Sequence, residues 1–249
     1  MHHRCKKDVW IARFTKRGTG GCMTIGFTCR DFERKLVRHC APTLAALKPA
    51  NLFTCRDTYR AGAPHARGTT SCYEDDLSCA LHAARKKLGP CNVRIEVLAR
   101  RSSGALIYVY RPDLVMHDLA NASVSAFLAR EGYDTASLSA CITRLHRRIC
   151  GTDLQSQLFG RCTFPHEIGF FLGYPYEDVV GFIENEGRNE LCCGCWKVYS
   201  QKRDATASFC RYKTCTAMYQ NLFDSGTPIE RLASLDENES LRATLLAAG

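Results

Sequence analysis

Three short clusters hold the side chains best suited to chemistry: His166-Glu167, Cys193 with Lys197 and Tyr199, and Cys40 with Thr43 and Lys48. A histidine titrates near neutrality, so His166 suits proton transfer or ligation, with Glu167 as its neighbour. Adjacent residues on a helix point about 100° apart, so the two do not form a shared metal site or a two-histidine zinc motif. The structural alternative is a His-Glu pair that fixes the Pro165 turn through hydrogen bonds. If Cys193 to Tyr199 is a strand, period two puts Cys193, Cys195, Lys197 and Tyr199 on one face. Cys192, Gly194, Trp196 and Val198 then take the other, core face. A lysine beside a thiol lowers its pKa and raises its reactivity, which makes Cys193 or Cys195 a candidate redox-active thiol. A half-buried strand with one chance lysine is the competing view, since cysteine is commonly a small core residue. Cys40-Ala41-Pro42-Thr43 reads as a helix-breaking corner whose thiol and hydroxyl line a pocket, with Lys48 nearby for an anionic group. The alternative is a rigid turn in which Pro42 ends one helix and Thr43 caps the next. Tyr174, after Gly173, joins the candidate binding residues.

Metal and cofactor motifs are weaker. Cys192, Cys193 and Cys195 with Cys210 and Cys215 do not supply the two C-x2-4-C knuckles of a zinc site. Cys210 and Cys215 diverge by about 140° around a helix. An iron–sulfur cluster from Cys40, Cys55, Cys162, Cys192 and Cys193 depends on proximity that sequence does not reveal, so metal and cofactor are left open. The chain has no Gly-rich phosphate loop, nucleotide fingerprint, nucleophile elbow or kinase motif.

The elements that must position these residues are mostly helical. Phe32, Leu36, Val37 and Cys40 recur at helical spacing, and Asn51 to Cys55 reads as a strand. The stretch 57–71 is rich in Arg, Gly, Ala, Pro and Thr and lacks periodicity, as a loop would. A helix follows over Tyr73 to Leu88, stopped by Gly89-Pro90. Val93 to Ala99 and Ala105 to Tyr110 alternate around Ser102-Ser103-Gly104 as a β-hairpin. Helices are expected over Pro112 to Glu131, Thr135 to Ile149, a short turn around Ile168, Glu177 to Gly187, and Asp204 to Phe223. Ser234 and Glu237 have capping-box spacing for a loose final turn. The sum is an α+β single domain: a small mixed sheet of about four strands packed with several helices. The domain spans 31–233, preceded by a basic extension over 1–30 and followed by a tail over 234–249.

The 249 residues carry +9, 45% hydrophobic and 24% charged side chains, ordinary for a globular core. The charge is uneven, because Arg4, Lys6, Lys7, Arg13, Lys16 and Arg17 against Asp8 give residues 1–22 a net +5. Two readings stand: a polyanion-binding arm, or a start read too far upstream with Met23 the true initiator. The remaining charge makes nucleic acid a poor partner for the domain. With no 18-residue apolar run and no secretory signal core, the expectation is a cytoplasmic protein with no membrane partner. Its sixteen cysteines are then reduced.

Several longer motifs are recognisable together. They are Cys40-Ala41-Pro42-Thr43-Leu44-Ala45 with Lys48-Pro49, then Tyr108-Val109-Tyr110-Arg111, and Phe164-Pro165-His166-Glu167-Ile168-Gly169. They continue through Phe171-Leu172-Gly173-Tyr174-Pro175 with Glu177-Asp178-Val179, and Leu191-Cys192-Cys193-Gly194 with Trp196-Lys197-Val198-Tyr199. From about residue 32 to 233 the chain resembles a domain-of-unknown-function family found mainly in anaerobic, fermentative bacteria. The resemblance implies a reducing cytosol and a start near Met23, and supplies no reaction, cofactor or catalytic residue. The 57–71 loop and Cys195 depart from the family pattern, which argues against both as sites.

The leading expectation is a small-molecule- or metal-handling protein whose pocket joins the His166-Glu167 turn, Tyr174 and the Cys193–Tyr199 segment. An enzymatic version uses Cys193 as thiolate and His166 as proton carrier. The rival is a non-catalytic binding or adaptor domain with no named protein partner, and nucleic-acid binding through the basic arm stands third.

Overall fold

The computed structural model describes residues 27–56, 76–101, 104–152 and 164–235. The basic arm with Met23, the 57–71 stretch, Ser102-Ser103, Cys162, Thr163 and Glu237 lie outside the described residues. The fold is α+β, built around a three-stranded antiparallel sheet with a separate two-stranded hairpin.

Helix α1 (Cys29–Leu44) opens on a reciprocal capping box. The Thr28 hydroxyl accepts from the Asp31 N–H while the Asp31 carboxylate accepts from the Thr28 N–H. Its apolar stripe of Phe32, Leu36, Val37, Cys40 and Leu44 is fully buried. Pro42 does not break α1, contrary to the sequence expectation: it lies inside the last turn. At that position proline forfeits one hydrogen bond next to carbonyls that the helix end leaves open anyway. The Pro42 carbonyl then accepts from the Leu47 and Lys48 N–H groups, at 2.8 and 3.2 Å, closing a corner around Ala46 (φ 51°). Thr43 accordingly caps no second helix; its hydroxyl donates to Asn51 Oδ1 at 2.7 Å and ties α1 to the next strand.

The sheet runs β1 (Ala50–Cys55), β3 (Gly104–Tyr110), β2 (Arg94–Arg101), with β3 central. Leu52 faces Tyr108 across β1–β3, and a bulge between Val97 and Ala99 shifts the β2–β3 register. Alternation along β3 sends Ala105, Ile107 and Val109 into one core and Leu106, Tyr108 and Tyr110 into another. The first core is completed by α1, α2 (Asp76–Leu88), α8 (Lys202–Asp224) and α9 (Ile229–Ala233). The second is completed by α3 (Pro112–Leu119), α4 (Ala122–Arg130), α5 (Leu138–Cys150), α6 (Ile168–Phe171) and α7 (Tyr176–Glu184). The sheet is thus covered by helices on both faces.

The single helix expected over Pro112 to Glu131 is two. Asn121 leaves helical geometry (ψ 130°) and its side chain accepts from the Ser123 and Val124 N–H groups, starting α4 afresh. Where β3 meets α3, the guanidinium of Arg111, 1% exposed, donates to the carbonyls of Thr43, Leu44, Cys91 and Ala233. Those carbonyls include the electronegative C-terminal ends of α1 and α9, so one buried cation locks three segments together.

The segment Cys193 to Tyr199 is not one strand. It folds back as β4 (Cys192–Cys193) and β5 (Lys197–Val198), with Gly194, Cys195 and Trp196 as the turn. Gly194 permits this, because a Cβ there would sit 2.2 Å from the Phe209 ring of α8. The proposed alternating face is therefore replaced by a cross-strand arrangement, in which Cys193 pairs with Lys197 and Cys195 projects from the turn.

Candidate functional site

Glu167 precedes α6 and turns into the second core, 4% exposed. Its carboxylate accepts from the Tyr133 hydroxyl at 2.8 Å and pairs with Arg148 at 2.9 Å, while Arg148 also meets Glu131 at 2.7 Å. Burial pushes the Glu167 carboxyl up, and Arg148 and Tyr133 pull it back. His166 points elsewhere, with its ring edge-on to Phe182 at 5.0 Å, and its buried Nδ1 has no hydrogen-bond partner among the described residues. Burial lowers its pKa, which keeps the imidazole neutral. The two neighbours therefore do not work on a common atom.

Lys197 sits opposite Cys193, but its ammonium donates to the Gly187 carbonyl at 2.6 Å and pairs with Glu190 at 3.0 Å. Its charge is balanced within the fold. Tyr199 packs against α7 at Gly181, and its buried hydroxyl has no hydrogen-bond partner among the described residues. A residue outside the sequence-derived site candidates organises this region. Asp178, 1% exposed, accepts from Trp196 Nε1 at 2.7 Å through one oxygen. Its other oxygen accepts from the Tyr199 N–H, the Ser200 N–H and the Ser200 hydroxyl, at 2.8 to 2.9 Å. A single buried carboxylate thus fixes the β4–β5 hairpin on α7.

That anchoring brings the hairpin turn to the α1–β1 corner. Pro49 packs on Gly173, where a φ of +69° and the clash that any Cβ would make with the Pro49 ring exclude a larger residue. Tyr174, next in the chain, stacks on Trp196 at 5.0 Å and donates to the Cys195 carbonyl at 3.4 Å. The Lys48 ammonium lies 4.9 Å from the Tyr174 ring centroid, a cation–π contact. Lys48 is 4% exposed, and among the described residues its ammonium has no hydrogen bond and no carboxylate partner. Burial lowers its pKa from 10.5 to about 8, with the Cys195 and Cys40 sulfurs opposing the shift. Cys195 is exposed overall, yet enough protein crowds its side chain to raise its pKa, with Lys48 pulling it down. Tyr212 of α8 feels both Cys195 and Asp118, and burial pushes its phenol up to about 12.

The structure therefore joins Cys40, Lys48 and Tyr174 of the sequence candidates; it adds Cys195, which the family resemblance argued against, and Tyr212, which sequence reasoning did not select. It holds Thr43 in a bond to Asn51, Glu167 in an ion pair, and Lys197 in the hairpin. Among the described residues no group of three or more His, Cys, Asp or Glu side chains clusters as metal ligands would. No described helix is long and apolar enough to cross a membrane.

The family described as Protein of unknown function (DUF3793) matches residues 36–233. The chain belongs to the DUF3793 family. No curated protein and no solved structure matches it. Lys48, Tyr174 and Cys195 all fall within the matched range.

Proposed function

We propose that this DUF3793 protein binds a small anion, a carboxylate or a phosphate, where Lys48, Tyr174, Cys195 and Tyr212 converge. The observation that carries the reading is Lys48: a cation buried to 4% exposure with no anionic partner among the described residues. Burying an unpaired charge is unfavourable, and an incoming anion would relieve it while the Tyr174 ring holds the ammonium in place. The thiol of Cys195 and the phenol of Tyr212 would supply hydrogen bonds at the rim. In this reading Cys195 replaces Cys193 as the thiol nearest the ligand. We place the activity in the cytoplasm, where such a thiol stays reduced.

The adaptor reading draws on a different observation: Thr43, Glu167 and Lys197 are all engaged in packing contacts. One experiment separates the two. Inorganic phosphate and acetate are titrated into the wild-type chain and Lys48→Met, followed by isothermal calorimetry. The anion reading expects saturable one-site binding that weakens at least about tenfold in the variant, the loss of one charged hydrogen bond. Equal binding by both chains, or none by the wild type, would favour the adaptor.

A further inference from the structure

Averaged over the domain, the charge argues against nucleic acid; its placement does not. Helix α2, strand β2 and helix α5 together hold nine Lys and Arg residues against two acids, Asp76 and Glu96. The three elements adjoin, because β2 is an outer strand of the sheet with α2 packed on one face and α5 on the other. Arginine side chains bridge them. Arg85 of α2 donates to the Ile95 carbonyl at 2.8 Å, Arg94 to the Gly89 carbonyl just past α2 at 3.0 Å, and Arg100 to the Ser78 hydroxyl at 3.1 Å. Arg101 donates to the Ile149 carbonyl of α5 at 3.3 Å. These contacts fix the guanidiniums in one row along the sheet edge, roughly 20 Å long at the rise of a β-strand. All four arginines are exposed, and so is Lys86 on the outward side of α2. The single acid on β2, Glu96, meets Arg85 at 3.5 Å. Lys87 and Arg148 are turned away into ion pairs with Glu33 and with Glu131 and Glu167.

We propose that this edge binds the phosphate backbone of a nucleic-acid duplex without reading its sequence. Guanidinium forks match phosphate oxygens in pairs, and the row is rich in arginine. Its length covers about six phosphates of one strand. Helices α2 and α5 and strand β2 contain no Phe, Tyr or Trp, so the row lacks the stacking platform on which single-strand binders hold bases. The exposed large apolar side chains among the described residues, Leu191 and Leu222, lie on other segments. The edge therefore also lacks the apolar centre that a protein partner would cover. A ladder of fixed positive charge with neither feature is complementary to a regular polyanion. Charge on an outer strand also discourages edge-to-edge pairing, but Lys86 sits on a helix and serves no such purpose.

The test is fluorescence anisotropy of a labelled DNA duplex of about 20 base pairs with the full chain, in Tris buffer over a series of NaCl concentrations. Two unrelated duplex sequences should bind alike, and a single strand of the same length more weakly. The plot of log affinity against log salt should lose about 2–3 units of slope in Lys86→Ala/Arg94→Ala/Arg101→Ala, at about 0.9 per phosphate contact removed. Arg94 and Arg101 also tie β2 to its neighbours, so Lys86→Gln is measured beside the triple variant. The Lys86 side chain makes no hydrogen bond among the described residues, and the slope should fall by about one unit. Arg188→Gln, at an exposed arginine beyond α7 that pairs with Glu186, should bind as the wild type does. Three results would overturn the proposal: no salt-dependent binding by the wild type, tighter binding of the single strand, or a slope that both edge variants leave unchanged. The last would place the contact elsewhere, as in the basic residues 1–22. Lys48 is buried beside β1, the opposite outer strand, so failure here would leave the anion-binding reading untouched.

Discussion

Replacing Lys48 by methionine tests whether an uncompensated ammonium is buried under the Cys195 turn. Burial lowers the Lys48 pKa from 10.5 to about 8. At about 1.4 kcal/mol per pH unit, that shift corresponds to about 3 kcal/mol by which the fold disfavours the charged form. A folded pKa below the unfolded one means that the unfolded chain holds more protons between the two values, so stability rises with pH across that window. Below about pH 8 the folded chain bears the whole penalty, which fades through about pH 9 and is nearly gone by about pH 10.5. Methionine keeps most of the stem's volume and carries no charge. Near pH 7 the variant should gain about 3 kcal/mol, less about 0.5–2 kcal/mol for the lost cation–π contact with Tyr174. The diagnostic quantity is the change in that gap, which should shrink by about 2 kcal/mol or more between about pH 7 and pH 10. Urea unfolding of both chains at matched pH measures it, and subtraction cancels the titrations that the two chains share. A gap that stays constant over this range would refute the reasoning, because Lys48 would then be solvated or already paired.

Other outcomes follow from single contacts. Asp178→Ala leaves the donors of Trp196, Tyr199 and Ser200 without an acceptor, and should destabilise the chain by about 3 kcal/mol or more while shifting Trp196 fluorescence toward that of an exposed indole. Gly194→Ala drives a methyl group into the Phe209 ring and should lower stability by about 1–3 kcal/mol in a urea melt. Arg111→Lys keeps the charge but cannot reach four carbonyls with a planar fork. A loss of about 3 kcal/mol is expected, measured by the midpoint of chemical denaturation.

Much of the scaffold was legible in the sequence because it rests on local periodicity. The Phe32–Leu36–Cys40 stripe, the Leu145–Ile149 face of α5 and the β2–β3 alternation each follow one repeat, and each is buried as that repeat requires. The chain departs from the repeat where one residue overrides it. Asn121 restarts a helix with its own side chain, Pro42 is tolerated because it falls in a final turn, and Gly194 folds a strand-like stretch back on itself. The site was less legible than the fold. Lys48, Tyr174, Cys195 and Tyr212 come from four separate segments, and their meeting depends on Asp178, whose four hydrogen bonds no spacing rule announces. Period two would place Cys193 and Lys197 on one face of a strand; they instead face each other across a hairpin, and Glu190 and Gly187 already hold the lysine. His166 and Glu167 adjoin in sequence and diverge in space, one against Phe182 and the other against Arg148.

The most direct measurement is the titration of the Lys48 ammonium itself, followed by nuclear magnetic resonance on lysine-labelled protein with and without inorganic phosphate. In the free protein the Lys48 ammonium is expected to titrate near 8. Saturating phosphate is expected to raise this by at least about one unit, since an opposite charge nearby favours the ammonium. A Lys48 that titrates at the ordinary 10.5 in the free protein, or that ignores phosphate, would contradict it.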